Sequence, residues 1–90
     1  MPAAEARATL PAEVALHARP AGRLVREAAR FQSEIELAAG DRRASARSIL
    51  ALLALGATGG SELVLRGEGA DAEAAVAALA ELIEGLAEGP

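Results

Sequence analysis

Apolar and polar positions follow two different periods along this chain, and the switches between them mark out strand-like and helix-like segments. Residues 1–4 read as a loose end. Residues 5–10 alternate, with Ala6, Ala8 and Leu10 on one side, which predicts a strand ended by Pro11. After a loop, Leu24, Val25 and Ala28 recur at the spacing of one helical face and predict a helix over 18–30, with Phe31 tucked under its end. Residues 34–39 alternate again, with Ile35 and Leu37 inward. Gly40 and Asp41 signal a turn, and 42–46 returns as a short strand although its residues are poor strand formers. Ser45 or Ser48 can cap a short helix over the apolar run 49–55, which Gly56 and the pair Gly59 and Gly60 end. Residues 61–67 predict a last strand with Leu63 and Leu65 inward, and Gly67, Glu68 and Gly69 turn the chain. Asp71 is then placed to cap a final helix with a full apolar stripe: Ala75, Val76, Leu79, Leu82, Ile83 and Leu86.

The order strand, helix, strand, strand, helix, strand, helix is satisfied by an α+β fold (βαββαβα), a four-stranded antiparallel sheet with helices covering one face. Ninety residues suit a single domain over 1–90 with one core. With one Phe and no Trp or Tyr, that core must be aliphatic. A formal charge of −4, from 13 acids against 9 bases, disfavours nucleic-acid binding. The absence of Cys excludes disulfides, thiolate metal sites and thiol nucleophiles, and a single His excludes a histidine metal cluster. No metal or cofactor is therefore expected. No signal-peptide pattern and no membrane-length apolar run occurs, so a soluble cytoplasmic monomer without membrane insertion is the expectation. The apolar run has a surplus. Leu52 and Leu55 can be buried, which leaves Ile49, Leu50 and Leu53 partly on another face, either to complete the core or to form a docking patch rimmed by arginine.

The one histidine stands in the stretch Leu16-His17-Ala18-Arg19-Pro20-Ala21. A helix opening directly behind it places His17 at the N-cap, with Pro20 in the first turn, where a missing N–H does no harm. A helix start presents free N–H groups and about half a positive charge, which suits an anion. Arg19 adds a guanidinium whose fork matches phosphate. The neutral imidazole is the nucleophilic form. On position alone such a histidine is more often a cap or a solvated polar group. No second acid–base residue has an evident place beside it, so the chain alone is expected to turn over nothing.

Three segments in register resemble the HPr family, the histidine phosphocarriers of the sugar phosphotransferase system. They are the stretch from Leu16 to Ala21; Ser45-Ala46-Arg47-Ser48 running into a short apolar helix that ends Leu55-Gly56; and Gly67-Glu68-Gly69-Ala70-Asp71 before the last helix. The resemblance covers nearly the whole chain and implies an open-faced β-sandwich with three helices on one side. It implies that His17 accepts a phosphoryl group through Nδ1 from phosphorylated enzyme I and passes it to IIA domains of sugar permeases. The chain is then a carrier with a transient phosphohistidine, not an enzyme. Arg19 matches the phosphate-stabilising arginine. Ser48 matches the serine that a dedicated ATP-dependent HPr kinase/phosphorylase modifies in many members. Ala18, Arg26, Ile49, Leu50 and Leu53 match the partner-docking surface, which tips the apolar surplus towards an interface. The chain departs from the pattern at Val14 and Ala15, where many members carry Asn-Gly, so a differently shaped loop is expected there. An alternative is an HPr-like regulatory binding module controlled by phosphorylation at Ser48.

Overall fold

The alternating segments pair into one four-stranded antiparallel sheet in the computed structural model, which describes residues 3–86. In chain order the elements are β1 (Ala3–Thr9), α1 (Ala18–Ala28), β2 (Glu34–Ala39), β3 (Arg42–Ser45), α2 (Ile49–Leu55), β4 (Glu62–Glu68) and α3 (Ala72–Glu84). The strands lie in the order β1-β4-β2-β3, so the last strand in the chain is inserted between the first two. Register then aligns like with like. Ala6, Leu65, Leu37 and Ala44 face one another across the sheet on its inner side. One residue along, Glu5, Arg66, Glu36 and Ser45 form a polar row on the opposite side. The three helices lie on the apolar face and the charged face is left open, as the sequence predicts.

Every layer contributes to the core: Leu24 of α1, Leu37 and Leu65 of the sheet, Leu52 of α2 and Leu79 of α3 are all fully buried. Full burial of one such side chain is worth roughly 1.5–3 kcal/mol, so an aliphatic core can hold a domain of this size without aromatic anchors. Phe31 packs partly buried against it. On the open face, Arg7 pairs with Glu62 at 3.2 Å and Arg66 with Glu5 at 3.3 Å. Such exposed pairs add at most about 1 kcal/mol each.

The structure differs from the sequence-based expectation at the ends of elements. β1 begins at Ala3, inside the expected loose end, because Ala3 and Ala4 pair with Glu68 and Gly67. The same pairing keeps Gly67 and Glu68 in β4, and the chain turns only at Gly69. Met1 and Pro2 lie outside the described residues. α1 closes at Ala28 rather than at Arg30, because the Arg30 and Phe31 amides donate to Glu27 and Ala28, three residues back, and tighten the last turn. β3 forms despite its composition, since pairing with β2 across the Gly40–Asp41 turn satisfies its backbone, and the Ala46 amide extends the ladder to the Ile35 carbonyl at 2.9 Å. Of the two candidate caps for α2, Ser48 is the one used, and Gly56 ends the helix in the left-handed conformation at φ +69°.

Asp71 stands at the start of α3 but does not cap it with its side chain. Its carboxylate reaches across to the turn before β2 instead, accepting from the Gln32 and Ser33 amides at 2.9 Å and from the Ser33 hydroxyl. Those donors, the Ser33 hydroxyl foremost and then the Gln32 amide, hold the Asp71 carboxyl below the usual range for aspartate. The same turn is gripped from the other side. The Arg47 guanidinium donates to the Phe31 and Ser33 carbonyls at 3.2 Å.

Candidate functional site

The stretch from Leu16 to Ala21 divides into anchors and chemistry. Leu16, Pro20 and Ala21 are buried, while His17, Ala18 and Arg19 are exposed. Pro20 and Ala21 fall on the face of Leu24 and Ala28, since residues three and four apart on a helix share a face, while Leu16 precedes the helix. His17 is the N-cap of α1, in extended backbone conformation, and its ring makes no capping bond to the helix. The Ala21 amide donates to the His17 carbonyl at 2.9 Å, which leaves the Ala18 and Arg19 amides without an acceptor among the described residues. Two N–H donors, the positive end of an eleven-residue helix and an exposed imidazole therefore meet at one point.

The loop in front of His17 is short of special conformations. Among the described residues only glycines have positive φ, so Ala15 occupies its place without strain. The Val14 amide donates to the Pro11 carbonyl at 3.0 Å, and the His17 amide to the Ala15 carbonyl at 2.9 Å. The Leu16 amide reaches out of the loop to the Ala57 carbonyl at 3.0 Å. Alanine in place of glycine therefore leaves the approach to His17 closed by its own backbone bonds.

A shallow cleft of about 180 Å³ lies against His17, lined by Glu13, Val14, Arg19, Pro20, Arg23 and Leu86. Arg19 and Arg23 lie one helical turn apart and share a wall of it. Among the described residues neither has a carboxylate within ion-pair distance, and neither does Arg26. This corner is thus cationic in a chain whose formal charge is −4. Arg23 follows from the helical period once Arg19 is singled out. Glu13 and Leu86 do not: a loop and the far end of the chain bring them, and sequence reasoning missed both.

The remaining predicted site residues lie on α1 and α2, which pack together. A Cβ built on Gly22 of α1 would stand 3.7 Å from the Arg26 guanidinium and 3.8 Å from the Ile49 side chain, ordinary contact distances that tie the two helices at that level. Ala18 and Arg26 are exposed on α1. On α2, Leu50 is 75% exposed and Ile49 39%, while Leu53 is half-buried against the core. The surplus in the apolar run is therefore split: Leu52 and Leu55 complete the core, and Ile49 and Leu50 stand outside it. Ser48 is partly buried, and its hydroxyl accepts from the Ala51 amide at 3.1 Å. Among the described residues no helix is long and apolar enough to cross a membrane, and no group of three His, Cys, Asp or Glu is placed to hold a metal ion.

Comparison with known proteins agrees with this geometry. The family model described as the PTS HPr component phosphorylation site matches residues 4–85. Phosphocarrier protein NPr of Shewanella violacea is 39% identical over 80 residues, covering 89% of this chain and 88% of the relative. Phosphocarrier protein HPr of Mycoplasma capricolum is 36% identical over 67 residues, covering 74% of this chain and 75% of the relative. The crystal structure of HPr from Thermoanaerobacter tengcongensis superposes with a TM-score of 0.87 at 33% identity, covering 97% of this chain and 98% of that one. With the family match spanning nearly the whole chain and the shared fold extending to both ends of the sheet, this chain belongs to the HPr family of phosphocarriers of the phosphotransferase system.

Proposed function

We propose that this chain carries a phosphoryl group on His17, accepting it from phosphorylated enzyme I and delivering it to IIA domains of sugar permeases in the cytoplasm. The observation that carries this reading is the exposed imidazole at the N-cap of α1, beside two amides that lack acceptors and beside Arg19. In the transfer, the lone pair of the neutral ring, at the Nδ1 atom used across the family, attacks phosphorus. The bond from phosphorus to the donor breaks, and its electron pair leaves with the donor. The transferring oxygens then face the Ala18 and Arg19 amides and the Arg19 guanidinium, which are in place before charge builds up. A carrier must release as readily as it accepts. An exposed site with few donors holds the group without stabilising it deeply, and the partner supplies the rest of the alignment.

Ala18, Arg26, Ile49, Leu50 and Leu53 are the surface we assign to both partners, with cations around an apolar centre. Relatives named HPr and NPr both match, so the sugar branch and the nitrogen-related branch both remain as sources of the donor. The test is incubation with phosphoenolpyruvate and enzyme I of each branch. An acid-labile mass gain of one phosphoryl group is expected, lost in His17→Ala. Absence of that gain with every donor overturns the reading.

A second reading adds control through Ser48, favoured by its place at the start of the helix that carries Ile49 and Leu50. A phosphate there would gain from the helix end and repel an acidic partner. An HPr kinase/phosphorylase with ATP would give an acid-stable gain on Ser48, absent in Ser48→Ala.

A further inference from the structure

The segment 57–61 lies under the loop that leads to His17, and its two adjacent glycines are required for different reasons. The Ser61 amide donates to the Thr58 carbonyl at 3.0 Å, closing a turn with Gly59 and Gly60 at its centre. Gly60 has φ +85°, as the third residue of a type II turn demands, and a Cβ there would meet nothing within 4 Å. Gly59 has no such backbone demand. A Cβ there would overlap the Ala12 carbonyl oxygen, and it would stand 2.6 Å from the Ala12 carbonyl carbon and 3.0 Å from the Pro11 carbonyl oxygen. Those are backbone atoms that cannot swing aside.

The turn also holds both ends of the loop. The Leu10 amide donates to the Ser61 carbonyl at 2.9 Å, and the Gly60 amide returns a bond to the Leu10 carbonyl at 2.9 Å. At the far end, the Leu16 amide donates to the Ala57 carbonyl at 3.0 Å. Between these clamps the Ala12 and Pro11 carbonyls rest on the bare α-carbon of Gly59, that of Ala12 closest. The next two residues, Glu13 and Val14, line the His17 cleft.

We infer that Gly59 is a positioning residue for the phosphoryl site: by lacking a side chain it sets the depth of the Ala12 and Pro11 carbonyls, and through them the place of Glu13, Val14 and His17. The inference rests on His17 being the phosphoryl acceptor. Glu13 gives the depth a chemical consequence, because a carboxylate brought nearer to an incoming phosphate repels it, and one held back does not.

The two glycines provide their own control. Full-length wild type, Gly59→Ala and Gly60→Ala are treated with phosphoramidate, a small donor that needs no protein partner, and followed by amide and phosphorus NMR. The P–N bond of the donor breaks, ammonia leaves, and the phosphoryl group appears on the ring. Gly59→Ala is expected to move the amide resonances of residues 12–17 and to slow phosphorylation on the order of tenfold, as small misplacements at reacting groups do. Gly60→Ala is expected to melt earlier, since alanine is strained at positive φ, with rate and loop resonances near wild type. Unmoved loop resonances in Gly59→Ala, or equal slowing in both variants, overturn the inference. If Gly59→Ala does not fold, Pro11→Gly loosens the same stretch without adding an atom and is expected to give the same shifts and slowing. A wild-type rate and spectrum there are equally fatal to the inference. Failure of wild-type His17 to react speaks against the carrier reading instead, while the amide resonances still report how the loop is seated.

Discussion

α1 and α2 pack together and begin in different ways. Each helix starts with amides that have no partner of their own. At α2 the Ser48 hydroxyl accepts from the Ala51 amide, the third of the helix, at 3.1 Å, while the Ile49 and Leu50 amides have no acceptor among the described residues. At α1 the first two amides, those of Ala18 and Arg19, are likewise open, but the N-cap is a histidine that makes no capping bond and the third residue is Pro20, which has no N–H to cap. A good cap is worth about 1 kcal/mol, which α2 gains at its third amide; α1, with proline there, has no amide to gain it from. What sets α1 apart is its setting: its open amides stand beside an exposed imidazole and the Arg19 guanidinium, those of α2 beside the apolar Ile49 and Leu50 side chains. The lesson is that open amides are common to helix starts, and the cap, the third residue and the side chains around them give each start its chemistry.

Arg19→Ala tests the start of α1 most severely. The side chain is exposed and has no ion pair among the described residues, so the melting midpoint should hold. The initial rate of transfer from enzyme I should fall on the order of a hundredfold, the usual loss for one preorganised donor. An unchanged rate would place the phosphate elsewhere. Asp71 sharpens the comparison as a third kind of start, one whose carboxylate ties α3 to the turn before β2. The carboxyl is more acidic folded than unfolded, so it lends stability in full above the ordinary aspartate range. That stability is lost as pH falls through the ordinary value to the lowered folded value. Melting midpoints should therefore drop on acidification over that window, and less steeply in Asp71→Asn; parallel curves would remove this role. The smallest effect is expected at the start of α2. Ser48→Ala should cost about 1 kcal/mol in a denaturant titration and leave the phosphoramidate reaction of His17 unchanged. A stability equal to wild type would mean that the Ser48 cap contributes nothing.

Much of the site was legible because its chemistry lies in consecutive residues. The helix opening behind His17 was read from the period of Leu24, Val25 and Ala28, which sets the imidazole at its N-cap; that Leu16, Pro20 and Ala21 are the buried seat was not read. The split of the run 49–55 was legible only in half. Periodicity picks Leu52 and Leu55 for the core, while the exposure of Ile49 and Leu50 depends on what packs beside α2. Asp71 shows the opposite failing. Its position marks a helix start correctly, yet its side chain serves a turn 38 residues earlier, beside Ser33. Arg47 belongs to a recognisable signature and turns out to secure that same turn.

By itself the sequence determined the order of elements, the inward face of each and the placing of one imidazole at a helix mouth. These are local matters: side-chain period, turn chemistry and cap position act over a few residues. Tertiary structure alone decided the rest. It extended β1 to Ala3, brought Glu13 and Leu86 to the histidine and pressed Gly59 against the Ala12 carbonyl. Each of these depends on segments that meet only when the sheet pairs and the helices dock, and no local period carries that information.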